Sequence, residues 1–264
     1  MIVSHDKFRL DGRTVVISGA ARGLGAATAA ACVESGAKVA VFDVEREQLD
    51  ATTQLLRERG GEVESVEVDV TDRDQVQRAI NHIVATLGDI WGVFCAAGVN
   101  QRGANEDYAE AFYERVVGIN LKGTYNVMGE VLPLMRESGG GSIVTISSVA
   151  ANRPGESSHE VYAASKGGVL SLSRAAAVRW GKHGIRINTL SPGYIATDMT
   201  GIASFPTELR SALDEVIPLG RPGEPEEVAW PAVFLMTDAA QYLSGMVFPV
   251  DGGADARGGV KFPD

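Results

Sequence analysis

Tyr162 and Lys166 stand four residues apart in the run Tyr-Ala-Ala-Ser-Lys. On a helix that spacing places both side chains on one face. A half-buried ammonium beside a phenol favours the phenolate, so the pair predicts a tyrosine whose pKa is drawn down toward working pH. Such a tyrosine can trade a proton with an alcohol. A second set of residues points to a phosphate-bearing cofactor. Gly19, Gly23 and Gly25 fall within seven residues, with Arg22 and Leu24 among them. Glycines there let the backbone turn tightly and approach a pyrophosphate, whose charge meets the amides of a helix N-terminus. Asp43 follows Gly25 by 18 residues. That acid is placed to accept both ribose hydroxyls of an adenosine and to repel a 2′-phosphate, which predicts NAD over NADP. Arg22 pulls weakly the other way, as a cation able to meet such a phosphate. Asp43 is weighed more heavily, because a carboxylate at the ribose acts on a phosphorylated cofactor directly.

These residues need strands and helices to hold them. The β-branched run over 13–18 reads as a buried strand feeding the glycine turn, and an Ala-rich helix follows to about residue 35. A second strand over 38–42 delivers Asp43 at its end. A polar helix over about 45–59 stops at Gly60-Gly61, and 63–68 alternates as a strand with one wet face. Thr71 or Asp72 caps the next helix. A fourth strand over 91–95 ends in Ala96-Ala97-Gly98, small residues that would let a nucleotide lie flat on the sheet edge. One long helical pattern covers about 108–138 and carries Asn120 in an apolar stretch, where its amide needs partners. Strand 142–148 then delivers Ser148. A polar loop over 152–160, the Tyr162 helix to about 180, a strand over 185–190 and Ser191-Pro192-Gly193 follow. Residues 197–224 read as a mobile lobe rich in Pro, Gly and Ser. A last helix (about 225–237) and strand (246–250) precede Asp251-Gly252-Gly253. The β-α alternation runs throughout, with no composition break and no repeat. It predicts a single α/β domain over 1–264, built on one doubly wound, mostly parallel, Rossmann-like sheet of about seven strands with helices on both faces.

Composition narrows the partners. Net charge is −10, 45% of residues are hydrophobic and 22% charged. That is a globular balance, and it argues against nucleic acid or an anionic membrane as partner. No apolar run is long enough to span a bilayer. Cys32 and Cys95 are far apart and read as free thiols in a reducing compartment, with cytoplasmic the default. The four histidines lack metal-ligand spacing, so no metal is expected.

Taken in order, these stretches resemble the short-chain dehydrogenases/reductases, in their short single-domain branch. The resemblance rests on Gly19-x-x-x-Gly23-x-Gly25, Asp43, Asp69-Val70, Ala96-Ala97-Gly98, Asn120, Ser148, Tyr162-x-x-x-Lys166, Pro192-Gly193 and Asp251-Gly252-Gly253, nearly the whole chain. It implies that Tyr162 is the acid/base, that Lys166 lowers its pKa and binds the nicotinamide ribose, and that Ser148 orients the substrate oxygen. Asn120 would hold a water that relays the proton. Asp69 and Val70 would flank the adenine. Thr197, with the Ile195 backbone, would hold the carboxamide. A homotetramer is implied too, and the long helices carry apolar residues on more than one face. Two departures stand out. Cys95 replaces the asparagine usual before Ala-Ala-Gly, a residue that ties neighbouring strands. Ser148 and Tyr162 are 14 positions apart, one more than is common, which bears on the choice between Ser147 and Ser148; Ser148 is taken for its place at the end of the strand.

The expected reaction is a reversible hydride transfer between a secondary alcohol and NAD, with no metal. The expected substrate is a small polyhydroxylated alcohol, a sugar alcohol or sugar, because the 152–160 loop carries Arg153, Glu156 and His159 among other polar side chains. Two alternatives stand beside it: an NADPH-dependent 3-oxoacyl-carrier-protein reductase, and a non-catalytic NAD-binding regulator.

Overall fold

A computed structural model describes residues 5–100, 108–153 and 160–257. Seven strands form one parallel sheet in the order β3-β2-β1-β4-β5-β6-β7. They are β1 (Thr14–Ser18), β2 (Lys38–Asp43), β3 (Val63–Glu67), β4 (Ile90–Cys95), β5 (Gly141–Ile146), β6 (Ile185–Pro192) and β7 (Val247–Val250). The order reverses between β1 and β4, the place where a doubly wound sheet opens a crevice at its strand ends.

Strand pleating sorts the side chains of β1 to opposite faces. Val15 and Ile17 join a core with Val39, Val41, Phe94 and Val144, covered by α1 (Gly23–Glu34), α2 (Arg46–Glu58) and α8 (Pro225–Met236). Val16 joins Phe42, Val93, Ile143 and Ile187 under α3 (Arg73–Leu87), α5 (Thr124–Glu137) and α6 (Glu160–Trp180). Both faces of every central strand are therefore dry, which is why these strands read as continuous apolar runs. Asp72, not Thr71, caps α3: its carboxylate accepts the amides of Asp74 and Gln75 at 3.0 and 3.1 Å.

The pattern read as one helix over 108–138 is two. Helix α4 (Glu110–Val117) and α5 are joined by a π-helical turn, Gly118–Gly123. The wider turn rolls Asn120 fully inside. It also brings Gly123 against Val70, where a Cβ would lie 2.5 Å from Val70 Cγ2. The segment 197–224 holds α7 (Thr207–Val216) and a small core of Ile202, Leu213 and Ile217 packed with Ala196 and Phe205. Beyond β7 the chain returns to this lobe: the Leu219 amide donates to Gly252 O at 3.1 Å.

Candidate active site

A cleft of about 1070 Å³ opens at the carboxyl ends of the central strands. Pockets for drug-sized ligands hold roughly 300–1,000 Å³, so this one has room for a dinucleotide and a small substrate together. Gly19, Arg22, Gly23, Leu24, Gly25, Asp43, Asp69, Val70, Ala96, Ala97, Gly98, Ser148, Tyr162, Lys166, Pro192, Gly193, Ile195 and Thr197 all face it. Asn120 does not; it lies just behind the wall.

The glycine loop fits an anion. Helix α1 begins at Gly23 with no side-chain cap and no acid in its first turn, so its leading amides and positive dipole end face the cleft uncompensated. Gly23 has φ +57, and a Cβ there would meet nothing closer than Thr197 at 3.8 Å, leaving an open seat. Gly19 is crowded instead: a Cβ would come within 2.5 Å of the Ala97 amide. The small residues after β4 thus let the loop close down on that strand. Asp43 is fixed at the rim by two backbone donors, Ala21 N–H to Oδ2 at 2.9 Å and Glu45 N–H to Oδ1 at 3.1 Å. Asp69 Oδ1 accepts the Thr71 amide at 2.8 Å, and Val70 O accepts from Asn126 Nδ2 at 2.8 Å. Uncapped amides, an open glycine seat and a pinned carboxylate suit a dinucleotide.

Across the cleft, β5 ends at Ile146, so Ser147 and Ser148 lie beyond the strand rather than in it. The two serines part company there. Ser147 Oγ turns inward and donates to Lys166 O at 2.9 Å. Ser148 caps a short 3-10 turn through Ala150 N–H at 3.2 Å, and its hydroxyl acts on the Tyr162 phenol in the sense that favours the phenolate. Ser148 is therefore the serine beside the tyrosine. Lys166 is buried, its Nζ 3.1 Å from Ile146 O and 5.8 Å from the centre of the Tyr162 ring.

The expected lowering of the tyrosine pKa is reversed. Burial pushes the phenol above its ordinary value, and the Ser148 hydroxyl offsets only part of that. Burial also pushes Lys166 down, from 10.5 to about 8. Between those two values the unfolded chain binds more protons at Lys166 than the folded one, so this group adds stability as pH rises through the window and loses it as pH falls through about 8. The expected result is that wild type gains about 2–3 kcal/mol over Lys166→Met between about pH 8 and 10.5, read by urea unfolding. A difference that stays flat with pH would remove the buried ammonium.

Asn120 acts as a strut. Oδ1 accepts Val99 N–H at 2.8 Å, while Nδ2 donates to Val99 O at 3.1 Å and Ser165 Oγ at 3.0 Å. Ser165 Oγ in turn donates to Tyr162 O at 2.7 Å. Both amide donors are thereby used, and what remains to the side chain for a water is one lone pair on Oδ1. Ser165 was not legible as part of the site; its signal was a serine inside the very helix turn between Tyr162 and Lys166. Thr200 was missed as well. Its Oγ1 donates to Ile195 O at 2.7 Å and accepts the Thr197 amide at 3.1 Å, fixing the turn that carries both. Glu45 was the third: it faces the cleft and pairs with Arg22 at 2.5 Å.

Cys95 is buried, and burial pushes its thiol up to about 12. Ser18 supplies a tie between β1 and β4 at this level, its carbonyl accepting Ala96 N–H at 3.1 Å and its hydroxyl Ala97 N–H at 3.5 Å. Residues 154–159 of the polar loop, Glu156 and His159 among them, lie outside the described residues. Among the described residues no group of three or more His, Cys, Asp or Glu could hold a metal ion, and no helix is long and apolar enough to cross a membrane.

A family profile described as enoyl-(acyl carrier protein) reductase matches residues 19–255. A D-threitol dehydrogenase of Mycolicibacterium smegmatis is 37% identical over 246 residues, covering 93% of this chain and 94% of that protein. A 3-oxoacyl-[acyl-carrier-protein] reductase of Thermotoga maritima is 36% identical over 247 residues, covering 93% and 98%. The crystal structure of a levodione reductase superposes with a TM-score of 0.88 at 36% identity, covering 94% of this chain and 99% of that one. A gluconate 5-dehydrogenase from Burkholderia cenocepacia, solved with NADP and tartrate, gives a TM-score of 0.89 at 30% identity, covering 96% and 98%.

Proposed function

The chain belongs to the short-chain dehydrogenase/reductase family, and from that premise we propose an NAD-dependent dehydrogenase that oxidises small polyhydroxylated secondary alcohols to ketones. It is an oxidoreductase acting on alcohols and ketones; the cofactor, the roles of the site residues and the substrate are the proposal. The observation that carries it is the convergence of Ser148, Tyr162 and a buried Lys166 on one cleft, facing the glycine loop.

The glycine loop and the α1 amides would hold the pyrophosphate, Asp43 the adenosine ribose, Asp69 and Val70 the adenine, Lys166 the nicotinamide ribose, and Ile195 and Thr197 the carboxamide. When bound, the cofactor supplies the hydride acceptor and a positive charge near the phenol. Tyr162, as phenolate, takes the hydroxyl proton from the substrate. Ser148 donates a hydrogen bond to the oxygen on which the carbonyl develops. Burial makes the Tyr162 phenolate costly, and the Lys166 ammonium together with the positive charge of a bound oxidised cofactor would offset that cost. Asn120 keeps Tyr162 in register through Ser165, and its remaining lone pair is where a relay water would sit.

The polyol reading is supported by the polar run over 152–160 and by relatives named for threitol and gluconate. Unpaired polar groups facing an apolar substrate would each cost roughly 1–3 kcal/mol. NAD-linked absorbance at 340 nm, read for polyols, long-chain and steroidal alcohols, and (with NADPH) 3-oxoacyl thioesters, tests the reading. The expected order of kcat/KM puts polyols at least tenfold ahead. Faster 3-oxoacyl reduction with NADPH would replace it with the carrier-protein reductase, and cofactor binding without turnover would leave a regulator. The family premise also implies a homotetramer, which light scattering in the same buffer reads directly.

A further inference from the structure

We propose that Glu45 is a second determinant of cofactor choice, acting by neutralising Arg22; the inference rests on the NAD reading above. Three charged side chains meet at the rim where the adenosine ribose would lie: Asp43, Glu45 and Arg22. They have different duties. Asp43 has both carboxylate oxygens engaged by backbone amides, so it is a fixed part of the loop. Glu45 makes no capping bond to α2, although it stands at that helix's N-cap. Its carboxylate reaches back to Arg22 Nη2 at 2.5 Å instead.

Both partners are about half exposed, 52% and 46% for the side chains. Such a pair adds little to stability. Its consequence falls on the cleft. Two acids and one base leave the rim with a net charge of −1, and the guanidinium that could take a 2′-phosphate already has one nitrogen and its charge engaged by Glu45. A phosphorylated ribose thus meets a repulsive field and a cation already paired with an acid. Glu45→Gln removes both obstacles at once and brings the rim to neutrality. Asp43→Ala is a blunter change, since it also frees the Ala21 amide that shapes the glycine loop. Arg22 is therefore a latent phosphate site, and Glu45 is its lock.

Full-length wild type, Glu45→Gln and the double variant Glu45→Gln/Arg22→Gln are titrated by calorimetry with adenosine 2′,5′-bisphosphate and with adenosine 5′-monophosphate. These probes differ only in the 2′-phosphate. One unit of charge a few ångströms away, near a surface, changes the affinity ratio by about tenfold. The expected result is a tenfold gain for the bisphosphate in Glu45→Gln, shrinking with added salt and lost when Arg22 is also replaced. An unchanged ratio in Glu45→Gln, or a gain that survives loss of Arg22, overturns the proposal. Wild-type kcat/KM for NAD against NADP is read separately. A wild-type preference for NADP defeats the NAD reading, whichever way the probe ratio moves.

Discussion

Tyr162→Phe lowers kcat for alcohol oxidation by a factor of roughly 10²–10⁴, the range general acid–base catalysis supplies, while NADH still binds. The ring stays where it is; only the phenolic hydroxyl is removed. Lys166 keeps its bond to Ile146 O, and the α1 amides do not depend on the phenol. Binding is read by NADH fluorescence and turnover by absorbance on the same preparation. If the variant retains more than about a tenth of wild-type turnover, Tyr162 is not the acid/base. If turnover and binding fall together, the tyrosine holds the cleft open rather than moving the proton.

The second large effect is structural. In Gly25→Ala the new Cβ would lie 2.0 Å from Gly19 O and 2.7 Å from Gly19 C. Those are backbone atoms, so relief needs the whole turn to open rather than one side chain to swing. Overpacking of this kind costs about 1–3 kcal/mol, a fall in Tm of roughly 2–10 °C for a domain this size. The displaced loop is also the proposed pyrophosphate seat. The expected result is therefore a lower Tm together with loss of the stabilisation that NAD gives wild type, both read by thermal melts with and without cofactor. A variant that melts as wild type does and still responds to NAD would show that the loop tolerates a Cβ.

Much of this arrangement was legible because it is local. The glycine spacing, Asp43 at the end of β2 and the Tyr162–Lys166 spacing each lie within one strand–turn–helix or one helix, and the structure brings them to one cleft. Distances that depend on other elements were not legible. Apolar periodicity runs through Val116, Val117, Ile119 and Leu121 without a break, so nothing marks the π-turn; a widened turn adds a residue to the helix without changing its composition. Asn120 was read as needing partners, but those partners, Val99 and Ser165, come from a strand-end loop and another helix. The sign of the Tyr162 shift was missed for a related reason. Spacing reports which charge is near, while the depth of burial that outweighs it is set by the packed domain. Glu45 was passed over because a glutamate two residues beyond a strand reads as surface.

The sheet order also has a kinetic side. Strand β1 pairs with its sequence neighbour β2, and β2 with β3, so the first half of the sheet can zip from nearby segments. The other edge of β1 waits for β4, where Ser18 meets Cys95 across most of the first hundred residues. Pairings that distant are slow, because a long loop must close before any contact rewards it. The cofactor cleft straddles that same join: the glycine loop leaves β1 on one side and Ala96–Gly98 leave β4 on the other. Neither half of the chain holds the whole of the proposed cofactor site: the residues proposed for the adenosine and pyrophosphate lie in the first, and those for the nicotinamide in the second. A site for the whole dinucleotide would form only when the two halves dock, so in a growing or refolding chain tight binding of the full cofactor would mark the completion of that step.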